Sequence, residues 1–254
     1  SIVALGRRFR GRIPGQGIEA GVRQGSGVKF DLAARGLEAH AATAVFERDT
    51  ALGDLTVLSS SPERFLSLSS DRRVESRPIK GTRPRDDDPV RDAALRDELA
   101  ASAKDRAENV MIVDMIRNDL GRVAQFGSVR VPSLFDVEPY PTLLQMTSTV
   151  QARSGAPLTE IMAALFPCAS ITGAPKRNTM EWIRRLETGP RGIYTGCIGG
   201  FFADGVTEFN VAIRTVLVDR EEEMAEYGVG GRILWYSETA DEYEEVKIKA
   251  RVLS

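Results

Sequence analysis

Arg77-Pro78-Ile79-Lys80-Gly81-Thr82 sets a lysine between a proline and a glycine, after the strand-like run Leu55 to Leu68. Proline fixes φ and glycine lets the backbone turn away, so the segment can hold Lys80 facing inward at a strand end. A lysine in a dry pocket has a depressed pKa and acts as an amine nucleophile or base. An ordinary solvated lysine in a turn is the alternative. Two acidic helix faces supply a second chemistry. Glu242, Glu245 and Lys249 fall at i, i+3 and i+7, on one face of a helix expected over Ala240 to Val252. Asp105 and Glu108 share a face of a long helix expected over Val90 to Leu120, with Glu108 where the sequence turns apolar. Carboxylates gathered from two helices suit Mg²⁺, a hard cation that keeps waters and takes an anionic ligand. The same faces could equally be solvated charge.

Three further features could hold an anion. Thr172-Gly173-Ala174-Pro175-Lys176 leads into a helix N-terminus, where free N–H groups favour negative charge. Gly228-Val229-Gly230-Gly231 offers approachable backbone amides, as an anion nest or as a tight turn between strands. Its spacing is not a dinucleotide fingerprint, and the Thr172 segment is not a P-loop. Arg214 lies in the apolar run Phe209 to Thr215, where an arginine is paired with a carboxylate, either a ligand's or a structural partner's.

These groups need a mixed framework. Apolar periodicity predicts a short helix over Leu158 to Phe166 and another from about Pro175 to Leu186, with Gly121 as a helix stop. Strands are expected over Gly53 to Leu68, Ser128 to Val131, Tyr194 to Phe202, Thr207 to Val218 and Arg232 to Tyr236, with a hairpin at Asp204-Gly205. Residues 7–28, rich in Gly and Arg, read as loops between short strands. The chain has 254 residues, 42% apolar, with a formal charge of −2, which fits one large domain over 1–254. Near-balanced charge argues against nucleic-acid binding, and no apolar run suffices for a membrane span. The expectation is a cytoplasmic protein with two buried cysteines, Cys168 and Cys197. One histidine, His40, excludes a multi-histidine zinc site.

Six segments in order resemble the chorismate-utilising enzymes: SSSPERFL (59–66), RPIKGTRPR (77–85), AENVMIVDMIRNDLGRV (107–123), LFPCASITGAPK (165–176), RGIYTGCIGG (191–200) and GVGGRILWYSETADEYEEVKIKA (228–250). That family comprises component I of anthranilate and aminodeoxychorismate synthases and the isochorismate and salicylate synthases. The lysine of PIKGT resembles the aminodeoxychorismate branch; anthranilate synthases have PIAGT there. The resemblance implies an α+β fold, a sandwich of large antiparallel sheets with helices outside and the site in the cleft between them.

It further implies that Glu108, Glu242 and Glu245 bind Mg²⁺, with Asp105 as an outer acidic group. Lys80 would add to C2 of chorismate and Glu63 would protonate the departing C4 hydroxyl. Ammonia would then displace the lysine, giving aminodeoxychorismate for para-aminobenzoate and folate. Tyr194, Arg214, Gly230, Gly231 and Lys249 would hold the substrate carboxylates, with Thr172 and Gly173 lining the pocket. Ammonia would come from a separate glutamine amidotransferase subunit, since neither cysteine has a glutaminase-like setting. The family pattern differs at three places: a long N-terminal part is expected to be missing, Ile2 stands at a polar position, and Gln145 replaces a common histidine. Anthranilate synthesis, or an inactive chorismate- or subunit-binding module, are the alternatives.

Overall fold

The computed structural model describes residues 3–12, 29–31, 42–50, 53–233 and 237–250; the expectations resting on Ile2 and His40 fall outside them. In chain order the first strands are β1 (Val3–Arg12), β2 (Lys29–Asp31), β3 (Ala42–Thr50), β4 (Gly53–Ser61), β5 (Arg64–Leu68), β6 (Arg73–Arg77) and β7 (Ile79–Pro84). Helices α1 (Pro89–Ala101) and α2 (Ala103–Gly121) follow, then β8 (Arg130–Pro139), β9 (Leu143–Arg153) and α3 (Leu158–Leu165). A 3-10 turn (Ala169–Ile171) leads to α4 (Lys176–Leu186), β10 (Cys197–Phe201), β11 (Thr207–Val211), β12 (Thr215–Asp219), β13 (Met224–Ile233) and α5 (Thr239–Ala250).

The strands form two antiparallel sheets. One runs β1-β13-β12-β4-β3-β2; the other runs β10-β11-β5-β6-β9-β7, with β8 also on β9. Helices α2, α4 and α5 pack on β9, β1 and β13 respectively. The α+β architecture of large antiparallel sheets with packed helices agrees with expectation. Among the described residues no single helix is long and apolar enough to cross a membrane.

Two strand-like runs break where the chain changes sheets. The run 53–68 becomes β4 and β5, in different sheets, joined by Pro62-Glu63. The run 207–218 becomes β11 and β12, also in different sheets, joined by Ala212-Ile213-Arg214. Because β4 pairs with β12 and β5 with β11, the two crossovers lie side by side. The backbone N–H of Val211 donates to the Glu63 carbonyl (3.0 Å), and Ser60 donates to the Arg214 carbonyl (3.1 Å). In 207–218 the apolar pattern runs through the break and hides it, whereas in 53–68 the polar Ser59-Ser60-Ser61-Pro62-Glu63-Arg64 marks it.

The long helix expected over 90–120 is two helices. Ser102 sits in extended conformation between them and its hydroxyl accepts from the N–H of Asp105 (3.3 Å), an N-cap that starts α2 afresh. The main core fills the space under α2 and α3 with Leu66, Val74, Ile112, Leu120, Val150 and Ile161. Strand β9 was not foreseen as a strand. Residues 144–150 are all buried, so it lacks the polar–apolar alternation of a half-exposed strand. Ser148 on this strand donates to Asn109 of α2 at 2.6 Å.

Candidate active site

Strand β8 occupies one edge of β9 along nearly its whole length, so β6 and β7 share the other edge as two halves of one broken strand. The break is at Pro78, which has no N–H to give and whose carbonyl accepts from Ser148 (3.2 Å). Immediately after it, pairing with β9 slips between Ile79 and Thr82, a bulge that holds Lys80 and Gly81. A bulge re-aims side chains, and Lys80 faces the cleft from the start of β7. Gly81 has φ +83°, and a Cβ there would meet Leu99 Cδ1 at 2.7 Å and Asp105 Cγ at 2.9 Å. Glycine therefore lets α1 and α2 close onto the strand beside the lysine.

The cleft has a volume of about 660 Å³ and is built from the sheet crossovers, the bulge, α2, β13 and α5. It brings together Glu63, Lys80, Glu108, Tyr194, Arg214, Gly230, Gly231, Glu242, Glu245 and Lys249. Thr172 and Gly173 do not line it. Thr172 is buried behind the wall, its hydroxyl donating to the Cys168 carbonyl (3.0 Å), and the neighbouring Ser170 and Ile171 face the cleft instead. The helix N-terminus expected to hold an anion does not line it either, since Lys176 turns to Asp119 (2.5 Å) and the Leu165 carbonyl (3.0 Å).

Arg214 also differs from expectation. It is not within a strand but at the crossover, with φ +49°. The glycines of 228–231 are mid-strand in β13, paired with β1 from Arg8 to Leu5, so they form neither nest nor turn. They admit neighbours instead: the Tyr194 ring lies where a Cβ on Gly228 would be, and the Glu242 carboxylate approaches Gly231.

Electrostatics divide the cleft into two parts. In the first, burial and then the charge of Arg232 lower the Lys80 ammonium to about 8, against opposing pulls from Glu63 and Glu108. Burial raises the Glu63 carboxyl, partly offset by Lys80, a hydrogen bond from Ser170, and Arg232. Glu63 Oε1 is buried without a protein partner. A basic amine poised to be neutral beside an acid poised to be protonated can run nucleophilic attack and leaving-group protonation. Tyr194, pushed up to about 12 by burial, stays a hydrogen-bond donor.

The second part is acidic. Glu108 comes from α2; Glu242 and Glu245 come from α5. Burial raises Glu245, but the hydrogen bond and charge of Lys249, with Lys104 and Lys80, leave it lowered overall. Lys249 bridges Glu245 (2.6 Å) and the Gly230 carbonyl (3.2 Å), Ser237 donates to Glu242 (2.6 Å), and Asp105 faces Arg83 (3.6 Å). Among the described residues no three acidic, histidine or cysteine side chains converge as a ready cage. The donors nevertheless fit Mg²⁺, which takes one or two carboxylates and completes its shell with water and ligand oxygens.

Sequence reasoning missed Arg232 and Ser170. Arg232 follows Gly230-Gly231 directly, and a charged residue beside glycines in an apolar strand was the available signal. Ser170 carried none, being one small residue in an apolar stretch.

The profile described as chorismate binding enzyme matches residues 29–254. Aminodeoxychorismate synthase of Streptomyces pristinaespiralis is 52% identical over 198 residues, 77% of this chain and 27% of that protein. Aminodeoxychorismate synthase component 1 of Klebsiella aerogenes is 47% identical over 196 residues, 76% of this chain and 43% of that protein. The crystal structure of anthranilate synthase component I from Streptococcus pneumoniae superposes with a TM-score of 0.80 at 28% identity, covering 98% of this chain and 52% of that one. The chain thus spans less than half the length of these two curated relatives.

Proposed function

Because this chain belongs to the chorismate-binding enzyme family, we propose that its cleft aminates chorismate at C4, giving 4-amino-4-deoxychorismate, through a covalent bond to Lys80. The observation that carries this reading is the setting of Lys80: in a strand bulge, facing the cleft, with its ammonium lowered to about 8.

Neutral Lys80 Nζ adds to ring C2, the ring double bonds shift, and the C4–O bond breaks. Glu63 gives its proton to the departing oxygen, which leaves as water, and the new secondary amine loses a proton. Ammonia then bonds to C4, the double bonds shift back, and the C2–Nζ bond breaks as Lys80 regains a proton. Arg214, Tyr194 and Lys249 hold the substrate carboxylates, by fork, hydroxyl and ammonium respectively. Glu108, Glu242 and Glu245 would hold Mg²⁺, which when bound neutralises the ring carboxylate and favours charge build-up there. Asp105 braces Arg83 behind them.

Ammonia reaches this cleft from a glutamine amidotransferase. Burial pushes the Cys168 thiol up to about 12 and raises Cys197 as well, so neither is a ready thiolate for glutamine hydrolysis. The "component 1" in the name of the Klebsiella relative accords with a partner subunit. The product belongs on the para-aminobenzoate route to folate.

Incubation with chorismate, Mg²⁺ and ammonium tests the reading. Aminodeoxychorismate as product supports it. Anthranilate would mean direct addition of ammonia at C2, and unaltered chorismate would mean a binding module.

A further inference from the structure

Ser148 stands where both neighbours of β9 lose register. Pairing with β7 slips between Ile79 and Thr82, and pairing with β8 slips between Ser133 and Asp136. Beside the first slip the Ser148 N–H donates to the Pro78 carbonyl at 3.2 Å, two residues before Lys80. In the second, Phe135 has φ +63° and its N–H donates to the Ser148 hydroxyl oxygen at 3.0 Å. That hydroxyl donates in turn to Oδ1 of Asn109 at 2.6 Å. Asn109 lies on α2 directly after Glu108, which lines the cleft. Three residues earlier on the same helix face, the Arg106 guanidinium lies 4.4 Å from the centre of the Phe135 ring. Helix α2 thus grips both irregular edges of β9 with one face, and presents Glu108 beside the gripping amide.

We propose that Ser148 and Asn109 are positioning residues, a polar strut that holds the Lys80 bulge and Glu108 in fixed relation across the cleft. Both side chains are fully buried. Asn109 Nδ2 has no hydrogen-bond partner among the described residues. A buried amide donor left unpaired works against stability, and an apolar side chain would fill the place without that penalty. The amide therefore serves placement rather than stability. Ser148 is the junction of the strut: its N–H fixes the backbone just before the bulge, and its hydroxyl fixes the helix that carries Glu108. The purpose of the strut rests on the amination reading, in which the substrate ring lies between the amine and the acidic part of the cleft. A small change in their relation misplaces C2 before Lys80 Nζ, and misplacement of reacting atoms by about 1 Å can cost about a hundredfold in rate.

Asn109→Leu tests the strut, because it removes the acceptor and the unpaired donor together while keeping a side chain of similar size. Its Tm should equal or exceed that of the wild type. With chorismate, Mg²⁺ and ammonium, kcat should fall about ten- to hundredfold while KM for chorismate stays within about threefold. Adding Ser148→Ala to Asn109→Leu should lower kcat by no more than about threefold further, since the two side chains act as one link. Without chorismate, amide exchange followed by nuclear magnetic resonance should be at least about fivefold faster in Asn109→Leu at Ser148 and Lys80, and unchanged in β12. A wild-type kcat, unchanged exchange at Ser148 and Lys80, or a lowered Tm each overturns the inference. If the wild-type protein does not aminate chorismate, the amination reading fails, and exchange alone then decides the strut: faster exchange upholds it and unchanged exchange overturns it.

Discussion

The backbone N–H of Val211 donates to the carbonyl of Glu63 at 3.0 Å, joining both places where the chain passes from one sheet to the other. The general acid of the proposed reaction is thus held by framework on both sides. Arg214 belongs to the same seam, three residues beyond Val211, so acid and carboxylate fork are set by one structural event.

The pH dependence of covalent capture follows from Lys80. Its ammonium titrates near 8 rather than 10.5, and only the neutral amine attacks. Adduct formation with chorismate and Mg²⁺, measured without ammonia, also needs Glu63 protonated, so its rate should follow a bell in pH, falling on the acid side as Lys80 takes up a proton and on the alkaline side as Glu63 loses its own. The readout is a mass increase on the Lys80 peptide after rapid quenching. Lys80→Ala should abolish it and Lys80→Arg should not restore it, because guanidinium stays protonated. A rate with no fall at either end of the range from about pH 5 to about pH 10 would refute a titrating lysine nucleophile paired with a titrating acid.

Removing a carboxylate from α5 tests the metal. Glu245→Gln should raise the Mg²⁺ concentration for half-maximal turnover by about ten- to hundredfold. Far-UV circular dichroism should be unchanged, as the side chain lies at the cleft. Direct Mg²⁺ titration by calorimetry in the presence of chorismate gives a second measure. Unaltered Mg²⁺ demand would remove Glu245 from the ligand set.

Arg214→Lys keeps charge at the crossover but gives up the planar fork. The expected result is an increase of about tenfold in KM for chorismate with kcat within about threefold. A loss of thermal stability with unchanged KM would instead make Arg214 a purely structural part of the seam.

Lys176→Met should destabilise without touching chemistry. Asp119 is 13% exposed and bonded to Lys176 at 2.5 Å, so the substitution strands a carboxylate between α2 and α4. A cost of roughly 2 kcal/mol, read from urea denaturation, is expected. KM for chorismate should not change, since the start of α4 does not face the cleft. A large rise in KM would restore the anion-binding reading of this helix end.

Gly81→Ala should be costly for two separate reasons. The residue is left-handed, and the new methyl would overlap Leu99 and Asp105. Together these suggest roughly 2–4 kcal/mol of lost stability, seen as a lowered Tm. Intact stability would mean that the bulge tolerates a different backbone.

Much of the cleft was legible because its residues sit in long, chemically unusual segments. Lys80 between Pro78 and Gly81 announces a turned lysine, and Glu242, Glu245 and Lys249 share a face by spacing alone. Helix α4 was legible within a residue or two from Pro175 and its apolar face. What stayed hidden depends on long-range partners. The division of 207–218 between two sheets follows from which strands pair, and β9 is masked by burial of both faces. Ser102 looked like one more helical residue, yet its hydroxyl caps the next helix. The two α5 carboxylates were read together correctly as a face, but their engagement by Lys249 and Ser237 is a matter of side-chain packing.

The paired crossovers also bear on how the protein is made. Ser59 and Thr215 share a 2.9 Å hydroxyl contact across 156 residues of sequence. Chain closure over such a span is slow compared with local helix and hairpin formation. A chain emerging from the ribosome can assemble β5, β6, β8 and β9 with α2 and α3 while β11 and β12 are still being synthesised. Glu63 would wait unmatched until Val211 arrives, and Lys80 would wait for β13 and α5. The reactive amine is therefore enclosed late in biosynthesis, and a prematurely terminated chain would carry the nucleophile without the residues that tune it.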